Sequence, residues 1–371
     1  MSEAFDIVIA GAGIVGAACA RECAAGGLKV LVLDQGPVGG GTTGAGMGHL
    51  VVMDDSEAQF SLTSYSRSLW HQLAPELPPD VEYEQCGTLW VAADDEEMSE
   101  VSRKQEHYAQ RGVRVEVLDG AAVAKAEPNL RAGLRGGLRV PEDAVLYPPC
   151  AARFLLDRAR EQGAVVRTGL SVTQLLPEGG VVLADDSRIS AGISVNATGP
   201  WSPGLNPGLP VRKRKGHLVI TDRYPAFVHH QIVELGYLKS AHAVSQDSVA
   251  FNIQPRKNGQ LLIGSSRQFD AEGTEVNQGI LDRMLKRALE YLPSLRALSA
   301  IRVWTGHRAA TPDKLPLIGP SYSSNRIWLA SGHEGLGITT SLGTGRLLAD
   351  MLLNRKSAIP PDPYLPGRFA P

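Results

Sequence analysis

The first 34 residues alternate between short apolar runs and one glycine-rich turn. Residues 6–10 form a mostly apolar, β-branched run that is too short for a helix, which predicts a buried strand. Residues 14–25 are rich in alanine, lack proline and are followed by two glycines, which predicts a helix with a glycine cap. Residues 29–33 predict a second strand. The order strand, helix, strand predicts a βαβ unit at the start of an α/β fold.

The hydrophobic pattern changes three times in the rest of the chain. Asn258-Gly259 is the strongest short signal for a β-hairpin. We expect a discontinuous, Rossmann-like nucleotide-binding domain of residues 1–80, 145–208 and 302–371, interrupted by a mostly antiparallel α+β domain of residues 81–144 and 209–301. The pattern predicts helices at 58–73, 151–162 and 339–353, and strands at 88–92, 137–146, 164–166, 215–221, 249–256, 260–265 and 326–330.

The turn after the first strand, residues 11–16, reads GAGIVG. In a GxGxxG sequence the first glycine allows the tight turn, the second lets the backbone approach a pyrophosphate, and the third lets helix and strand pack closely. Asp34 ends the second strand, 21 residues after Gly13, where a carboxylate can accept hydrogen bonds from a ribose. A glycine-rich turn between core elements is the alternative. The strand, the helix and the acid together favour a dinucleotide site.

Composition and charge argue against several classes of function. The 371 residues suffice for about two domains, and 37 basic against 39 acidic residues argue against nucleic-acid binding through overall charge. The basic cluster at 212–215 lies mid-chain before an apolar strand, which disfavours a targeting role. Four cysteines without metal-ligand spacing predict reduced thiols in a cytoplasmic protein. We expect no metal site, no signal peptide and no membrane span.

Four ordered motifs carry a resemblance to a known family: GAGIVG at 11–16, VNATGPW at 195–201, WTGHRAATPDKLPLIG at 304–319 and SGHEGLGITT at 331–340. Together they resemble the D-amino-acid oxidase and sarcosine oxidase (DAO) superfamily, which uses FAD to oxidise amines of amino acids. The stretches at 41–55, 251–268 and 332–352 are most similar to flavin subunits of multi-subunit bacterial dehydrogenases. Examples are the β-type subunit of D-hydroxyproline dehydrogenase and the flavin subunit of hydrogen cyanide synthase, with glycine oxidase more distant. The resemblance implies a GR2-type FAD-binding domain and a substrate domain.

The resemblance also implies where FAD binds. Gly306 stands where monomeric sarcosine oxidase attaches its flavin to a cysteine, so we expect non-covalent FAD. At the start of the last helix, free N–H groups and the helix dipole would favour negative charge on the flavin. The expected cofactor-binding residues are Gly11, Ala12, Gly13, Ile14, Val15, Gly16, Asp34, Gln35, Thr42, Thr43, Gly44, Met47, Gly48, Val172, Gly199, Trp201, Gly332, Gly335, Leu336, Gly337, Ile338 and Thr339.

Three side chains are candidates for catalysis. Arg308 matches an arginine that binds the substrate carboxylate in related oxidases. The guanidinium group of an arginine can bind a carboxylate bidentately. Relatives commonly read Arg-Pro here, whereas this chain has Ala309, which would free the backbone. Without the resemblance, a surface salt bridge is the simpler interpretation of this arginine. For His49 and His217, a hydrogen-bonded packing role is an equally good interpretation.

The implied reaction is oxidation of a small amino or imino acid to its imine, by hydride transfer to the flavin N5, with cis-4-hydroxy-D-proline or D-proline as the leading substrates. Leu262 stands where monomeric sarcosine oxidase has an oxygen-activating lysine. Its absence favours a dehydrogenase that passes electrons to a partner subunit or a quinone. Alternatives are an oxygen-using glycine or sarcosine oxidase and a flavin-carrying scaffold subunit. A nicotinamide enzyme is disfavoured. Peripheral contact with the inner membrane is an alternative to a purely cytoplasmic location.

Overall fold

The computed structural model describes residues 4–236, 247–269 and 271–370. Two units are distinguished: unit 1 contains residues 1–81, 147–213 and 307–371, and unit 2 contains residues 82–146 and 214–306. These boundaries differ from the expected ones by at most five residues. The largest differences are at residue 213, where 208 was expected, and at residue 307, where 302 was expected.

The strands and helices are numbered in chain order. The strands are β1 (Phe5–Ala10), β2 (Val30–Asp34), β3 (His49–Leu50), β4 (Thr88–Ala92), β5 (Glu116–Asp119), β6 (Gly136–Val140), β7 (Ala144–Val145), β8 (Val165–Thr168), β9 (Val172–Leu175), β10 (Val181–Leu183), β11 (Arg188–Ile189), β12 (Ala191–Asn196), β13 (Arg212–Thr221), β14 (Gln231–Glu234), β15 (Ser248–Pro255), β16 (Leu261–Phe269), β17 (Ala300–Ala310), β18 (Leu317–Ser321) and β19 (Ser324–Ser331). The helices are α1 (Ile14–Ala25), α2 (Thr42–Ala45), α3 (Glu57–Leu73), α4 (Asp95–Gln110), α5 (Gly120–Ala126), α6 (Pro148–Glu161), α7 (Ser202–Leu205), α8 (Gln278–Tyr291) and α9 (Gly337–Leu352).

Unit 1 is built on a six-stranded sheet in the order β18-β19-β12-β1-β2-β8. All neighbouring strands are parallel except β18 and β19. The central strands read as continuous apolar runs because a parallel sheet is covered on both faces. Val8, Leu31 and Leu33 accordingly lie in the core with almost no exposure. The predicted α/β class and Rossmann-like order are confirmed for this unit.

Helices α1 and α9 pack against each other, with α6 also on α1 and α3 also on α9. The packing of α1 and α9 brings their backbones together, because a Cβ at Gly345 would lie 2.6 Å from the carbonyl oxygen of Ala18. Cys19 and Cys23 lie four residues apart on α1 and are both buried, as expected for a shared packed face. Small residues on both helices therefore determine how closely they approach.

Unit 2 contains an eight-stranded sheet in the order β17-β13-β16-β15-β14-β4-β6-β5. Its pairings are mostly antiparallel, with β4 and β14 parallel. Helix α8 covers β15 and β16, and Phe251 stacks on Tyr291 with ring centroids 4.9 Å apart. The expected antiparallel α+β character is confirmed.

Individual elements match the sequence pattern unevenly. The hairpin at Asn258-Gly259 is confirmed, because Gly259 N donates to Arg256 O and Arg256 N to Gln260 O, both at 2.8 Å. The single strand expected at 137–146 is wrong: the chain turns after Val140 and forms β6 and β7 instead. Helices α4 and α8 were not expected. No helix within the described ranges is long and apolar enough to cross a bilayer.

Candidate cofactor and substrate site

The carboxyl ends of β1, β2 and β12 meet at one edge of the unit 1 sheet, where Ala10 pairs with Leu33 and Asn196. Gly11 has φ +113°, and a Cβ on it would lie 2.5 Å from Ala197 O. A Cβ on Gly16 would overlap Gly11 O. Gly11 and Gly16 are therefore required by close backbone contacts, as the motif predicts for its first and third glycines.

The N-terminus of α1 has the features of an anion site. Gly13 is the N-cap residue and provides no side-chain cap. A Cβ at this glycine would meet only Thr43 Oγ1, at 3.2 Å, among the atoms of the described residues outside its chain neighbours. The Ile14 N–H donates to the same hydroxyl, at 3.0 Å. The remaining N–H groups of a first helical turn have no acceptor within the helix and favour a phosphate.

Asp34 is held rigidly at the end of β2. Its Oδ2 accepts from Ala12 N at 2.7 Å, and its Oδ1 accepts from Gly36 N at 2.8 Å. Leu170 N donates to the main-chain oxygen of Asp34 at 3.0 Å. The loop before β9 is therefore fixed beside the acid, and β9 begins at the half-buried Val172. Two of the expected cofactor-binding residues, Asp34 and Val172, are thus brought close together.

The loop at 38–48 contains the short helix α2, which the sequence pattern did not predict. Thr42 Oγ1 donates to His307 O at 2.8 Å. A Cβ on Gly46 would lie 3.3 Å from Ile338 Cδ1. The loop thus contacts both the residue before Arg308 and the first turn of α9, so that several expected cofactor residues share one face of unit 1.

Three residues of the turn before α9 have a left-handed backbone conformation. Gly332, Glu334 and Gly335 have φ +80°, +47° and +88°, and Glu334 N donates to Ala309 O at 2.9 Å. A Cβ on Gly337 would lie 3.6 Å from Val15 Cγ2. The N-termini of α1 and α9 are therefore neighbours, and their partial positive charges reinforce each other.

Arg308 lies against this turn. A Cβ on Gly335 would lie 2.9 Å from the Cδ and 3.1 Å from the Nε of Arg308, so a side chain at this position would displace the arginine side chain. Arg308 is half-buried in β17. Ala309, which replaces the proline of relatives, is a regular residue of the same strand. The expectation that its backbone is freed is wrong, because the strand and the bond from Glu334 hold it.

Two histidines near these helix ends are neutral. His49 O accepts from Thr339 Oγ1 at 2.8 Å, and burial lowers the pKa of the His49 imidazole to about 4. His333 Nε2 lies 3.0 Å from Thr344 Oγ1, and burial lowers the pKa of His333 to about 3. The sequence reasoning missed His333, although it stands inside the GHEGLG motif.

His217 is in unit 2, where both of its ring nitrogens are engaged. Asn277 N donates to Nε2 at 3.0 Å, and Nδ1 lies 2.9 Å from Ser266 Oγ. The ring is fully buried. This arrangement favours the packing interpretation of His217, and a catalytic role for it stays a prediction.

The remaining expected cofactor residues differ in exposure. Gly199 has φ +58° and begins the 3-10 turn Gly199–Trp201 after β12. Trp201 is 45% exposed, and its ring lies 3.5 Å from where a Cβ on Gly41 would be. Gly48 is buried and Met47 is half-buried, whereas Gln35 and Gly44 are exposed.

These features fit FAD. The open backbone at Gly13 and the first turn of α1 suit a pyrophosphate. The fixed carboxylate of Asp34 suits ribose hydroxyls. The first turn of α9 suits the electron-rich edge of a flavin. Among the described residues, no group of three or more His, Cys, Asp or Glu side chains is placed to hold a metal ion.

The buried His333 predicts a stability loss in acid. Its pKa is about 3 in the folded protein, against about 6.5 in an unfolded chain, so unfolding takes up a proton between these values. The free energy of unfolding should therefore fall as the pH decreases from 6.5 toward 4, by at most about 1.4 kcal/mol per pH unit for this group. Urea unfolding at several pH values, for the wild type and for His333→Gln, measures how much of the pH dependence comes from His333. His49 contributes equally to the pH dependence of both proteins. Equal pH dependence in the two proteins would contradict the assignment.

Comparison with known proteins agrees with this geometry. The family model described as "DAO: FAD dependent oxidoreductase" matches residues 6–351. The chain is 28% identical over 426 residues to hydrogen cyanide synthase subunit HcnC of Pseudomonas aeruginosa, covering 100% of this chain and 98% of that protein. It is 27% identical over 364 residues to glycine oxidase of Bacillus licheniformis, covering 95% and 94% of the two chains.

A solved structure supports the same assignment. L-proline dehydrogenase from P. horikoshii has a TM-score of 0.90 at 25% identity, with 100% of this chain and 98% of that chain covered. Because the family model spans nearly all of the elements that build the site, the chain belongs to the DAO family of FAD-dependent oxidoreductases.

Proposed function

We propose that this protein oxidises a small amino or imino acid to its imine, with cis-4-hydroxy-D-proline or D-proline as the leading substrate, and passes the electrons to an acceptor other than oxygen. The observation that carries the proposal is the position of Arg308. Its side chain lies along Gly335, in the turn that begins α9 and beside the N-terminus of α1.

Arg308 binds the substrate carboxylate in this proposal. A guanidinium presents two parallel N–H donors to a carboxylate, which fixes the orientation of the α-carbon as well as its position. The backbone on both sides is held, because Glu334 N bonds to Ala309 O and Thr42 Oγ1 bonds to His307 O. A rigid support of this kind reduces the entropy lost when the substrate is oriented.

The two helix N-termini support the redox step. FAD, when bound, accepts the hydride that leaves the substrate Cα. The N–H groups at the start of α9 would stabilise the negative charge that the hydride delivers, without reorganisation during the reaction. The neutral state of His49 and His333 keeps fixed imidazolium charges out of this region. The substrate nitrogen must be unprotonated to release the hydride, so turnover should rise with pH until the amine is deprotonated.

The relatives support a small amino or imino acid as substrate. One is named glycine oxidase and a structural neighbour is named L-proline dehydrogenase. The word subunit in the name hydrogen cyanide synthase subunit HcnC supports the existence of partner subunits, which we propose as electron acceptors. Leu262 is a buried residue of β16, and without a lysine there we infer a dehydrogenase. An oxygen-using glycine or sarcosine oxidase is the second candidate, favoured by the glycine oxidase relatives.

We infer that FAD is bound without a covalent link, because Gly306 provides no thiol. Four free cysteines suit a reducing compartment, which supports a cytoplasmic location, with association to the inner membrane through a partner as the alternative. A flavin-carrying scaffold subunit without its own turnover remains the third candidate, and retention of Arg308 argues against it.

Replacing Arg308 with alanine should lower kcat/KM by about a hundredfold or more, mainly through KM, because a charge-assisted bidentate contact contributes about 3 kcal/mol. FAD binding should stay unchanged, since the arginine is assigned to the substrate. Steady-state kinetics with an artificial electron acceptor, together with the flavin absorbance of the purified variant, measure both effects.

Arg302→Ala is the matched control, because Arg302 lies in the same strand but is exposed. It should change kcat/KM by no more than about twofold. If Arg308→Ala also stayed within a few-fold of the wild type, Arg308 would not be the carboxylate-binding residue.

Anaerobic bleaching of the flavin tests the substrate class directly. We expect cis-4-hydroxy-D-proline or D-proline to bleach the visible flavin absorption faster than glycine, sarcosine or L-proline. The bleached flavin should regain its colour slowly in air and rapidly with a quinone analogue. Stopped-flow absorbance measures both reactions.

Rapid recolouring in air would overturn the dehydrogenase assignment and favour an oxidase. Bleaching by L-proline alone would overturn the proposed chirality. If a fully flavin-loaded protein were bleached by none of these compounds, the scaffold interpretation would replace the proposal.

A further inference from the structure

The segment from Thr43 to His49 spans the two helix ends of the candidate site. It begins where Thr43 Oγ1 accepts from Ile14 N in the first turn of α1. It ends where the His49 carbonyl accepts from Thr339 Oγ1 in the first turn of α9. These helix ends are neighbours, as the 3.6 Å approach of a Gly337 Cβ to Val15 Cγ2 indicates. Both ends of the segment therefore lie at the candidate site.

One side chain, that of Thr339, holds the main chain from His49 to Val51. The hydroxyl of Thr339 donates to His49 O at 2.8 Å and accepts from Val51 N at 3.3 Å. This clamp fixes the backbone from which the imidazole projects. A rigidly supported side chain can hold a hydrogen bond in one geometry at little cost in entropy.

The imidazole itself has an unused hydrogen-bonding atom. The Nε2 atom of His49 is shielded from solvent and has no hydrogen-bond partner among the described residues. Buried polar atoms in folded proteins are nearly always paired, and an orphan calls for a ligand or another explanation. Burial holds the pKa of this ring at about 4, so the ring is neutral at physiological pH. A neutral ring nitrogen forms one directed hydrogen bond as donor or acceptor, according to its tautomer.

We propose that His49 Nε2 forms a hydrogen bond with the isoalloxazine ring of bound FAD. The pyrimidine edge of that ring carries two carbonyl acceptors and one N–H donor, so either tautomer of the histidine has a partner. His49 is then a positioning residue that anchors the ring beside the N-terminus of α9. This inference concerns the cofactor of the family and does not depend on which amine is oxidised.

Two substitutions separate a hydrogen bond from packing. His49→Leu removes the polar atom and keeps the bulk, whereas His49→Gln retains a polar group at about the position of Nε2. Titration of apoprotein with FAD, followed by flavin fluorescence, gives the dissociation constant. We expect His49→Leu to weaken FAD binding about tenfold and His49→Gln by no more than about threefold. The visible spectrum of the bound flavin should shift in the leucine variant only.

Apoprotein stability supplies the second measurement. In the absence of FAD, His49→Leu should unfold at the same or a higher temperature than the wild type, because it removes a buried polar atom without a partner. His229→Leu, at an exposed histidine of unit 2, is the control and should leave FAD binding unchanged. His49→Ala replaces the leucine variant if that variant does not fold.

Unchanged FAD affinity and spectrum in His49→Leu would overturn the inference. Equal weakening by leucine and glutamine would overturn it as well, since that result indicates packing. Neither outcome bears on Arg308 or on amine turnover, so failure here is distinguishable from failure of the proposed function.

Discussion

The close approach of backbone to backbone at the β1–α1 turn is the constraint on which the rest of the site depends. Gly16 packs on the carbonyl of Gly11, and Gly11 in turn packs on Ala197 at the end of β12. A side chain at either glycine would force α1 away from the sheet. The same closeness recurs where Gly345 of α9 meets Ala18 of α1. Small residues at these contacts bring the N-termini of both helices to the same edge of the sheet.

Two helix N-termini side by side concentrate positive potential, which is unfavourable unless negative charge is present. The chain adds little compensation of its own in the first turns, since neither helix has an acidic residue there. The carboxylate of Asp34 at the end of β2 already accepts hydrogen bonds from Ala12 N and Gly36 N. His49 and His333 are kept neutral by burial. In the proposed function, the pyrophosphate and the electron-rich flavin edge of FAD would supply the missing negative charge, and a substrate carboxylate on Arg308 would add to it. Under this proposal, one electrostatic arrangement would favour the binding of both cofactor and substrate.

The parts of the fold with local physical causes were predictable from the sequence. The extent of α1, the end of β2 at Asp34 and the Asn258-Gly259 hairpin follow from glycine positions and short apolar runs. Helix α4 was missed because its buried positions include Glu97 and Lys104, whose charges hide the apolar stripe. The break between β6 and β7 was missed although Pro141, Glu142 and Asp143, which lie between the two strands, are typical of a turn. Likewise, Arg308 became a candidate only through the family resemblance, and His333 was overlooked. The contacts that reveal them, with Gly335 and with Thr344, join different elements of the fold, so residue spacing within one element gives no signal.

The most direct test of the site is a crystal structure of the protein with FAD and pyrrole-2-carboxylate, a planar analogue of proline that cannot be oxidised in the same way. We expect the pyrophosphate of FAD at the first turn of α1 and both carboxylate oxygens of the analogue within hydrogen-bond distance of the Arg308 guanidinium. A carboxylate bound to other residues, with Arg308 turned to solvent or paired elsewhere, would contradict the central claim that this arginine and the paired helix ends together form the amino-acid oxidation site.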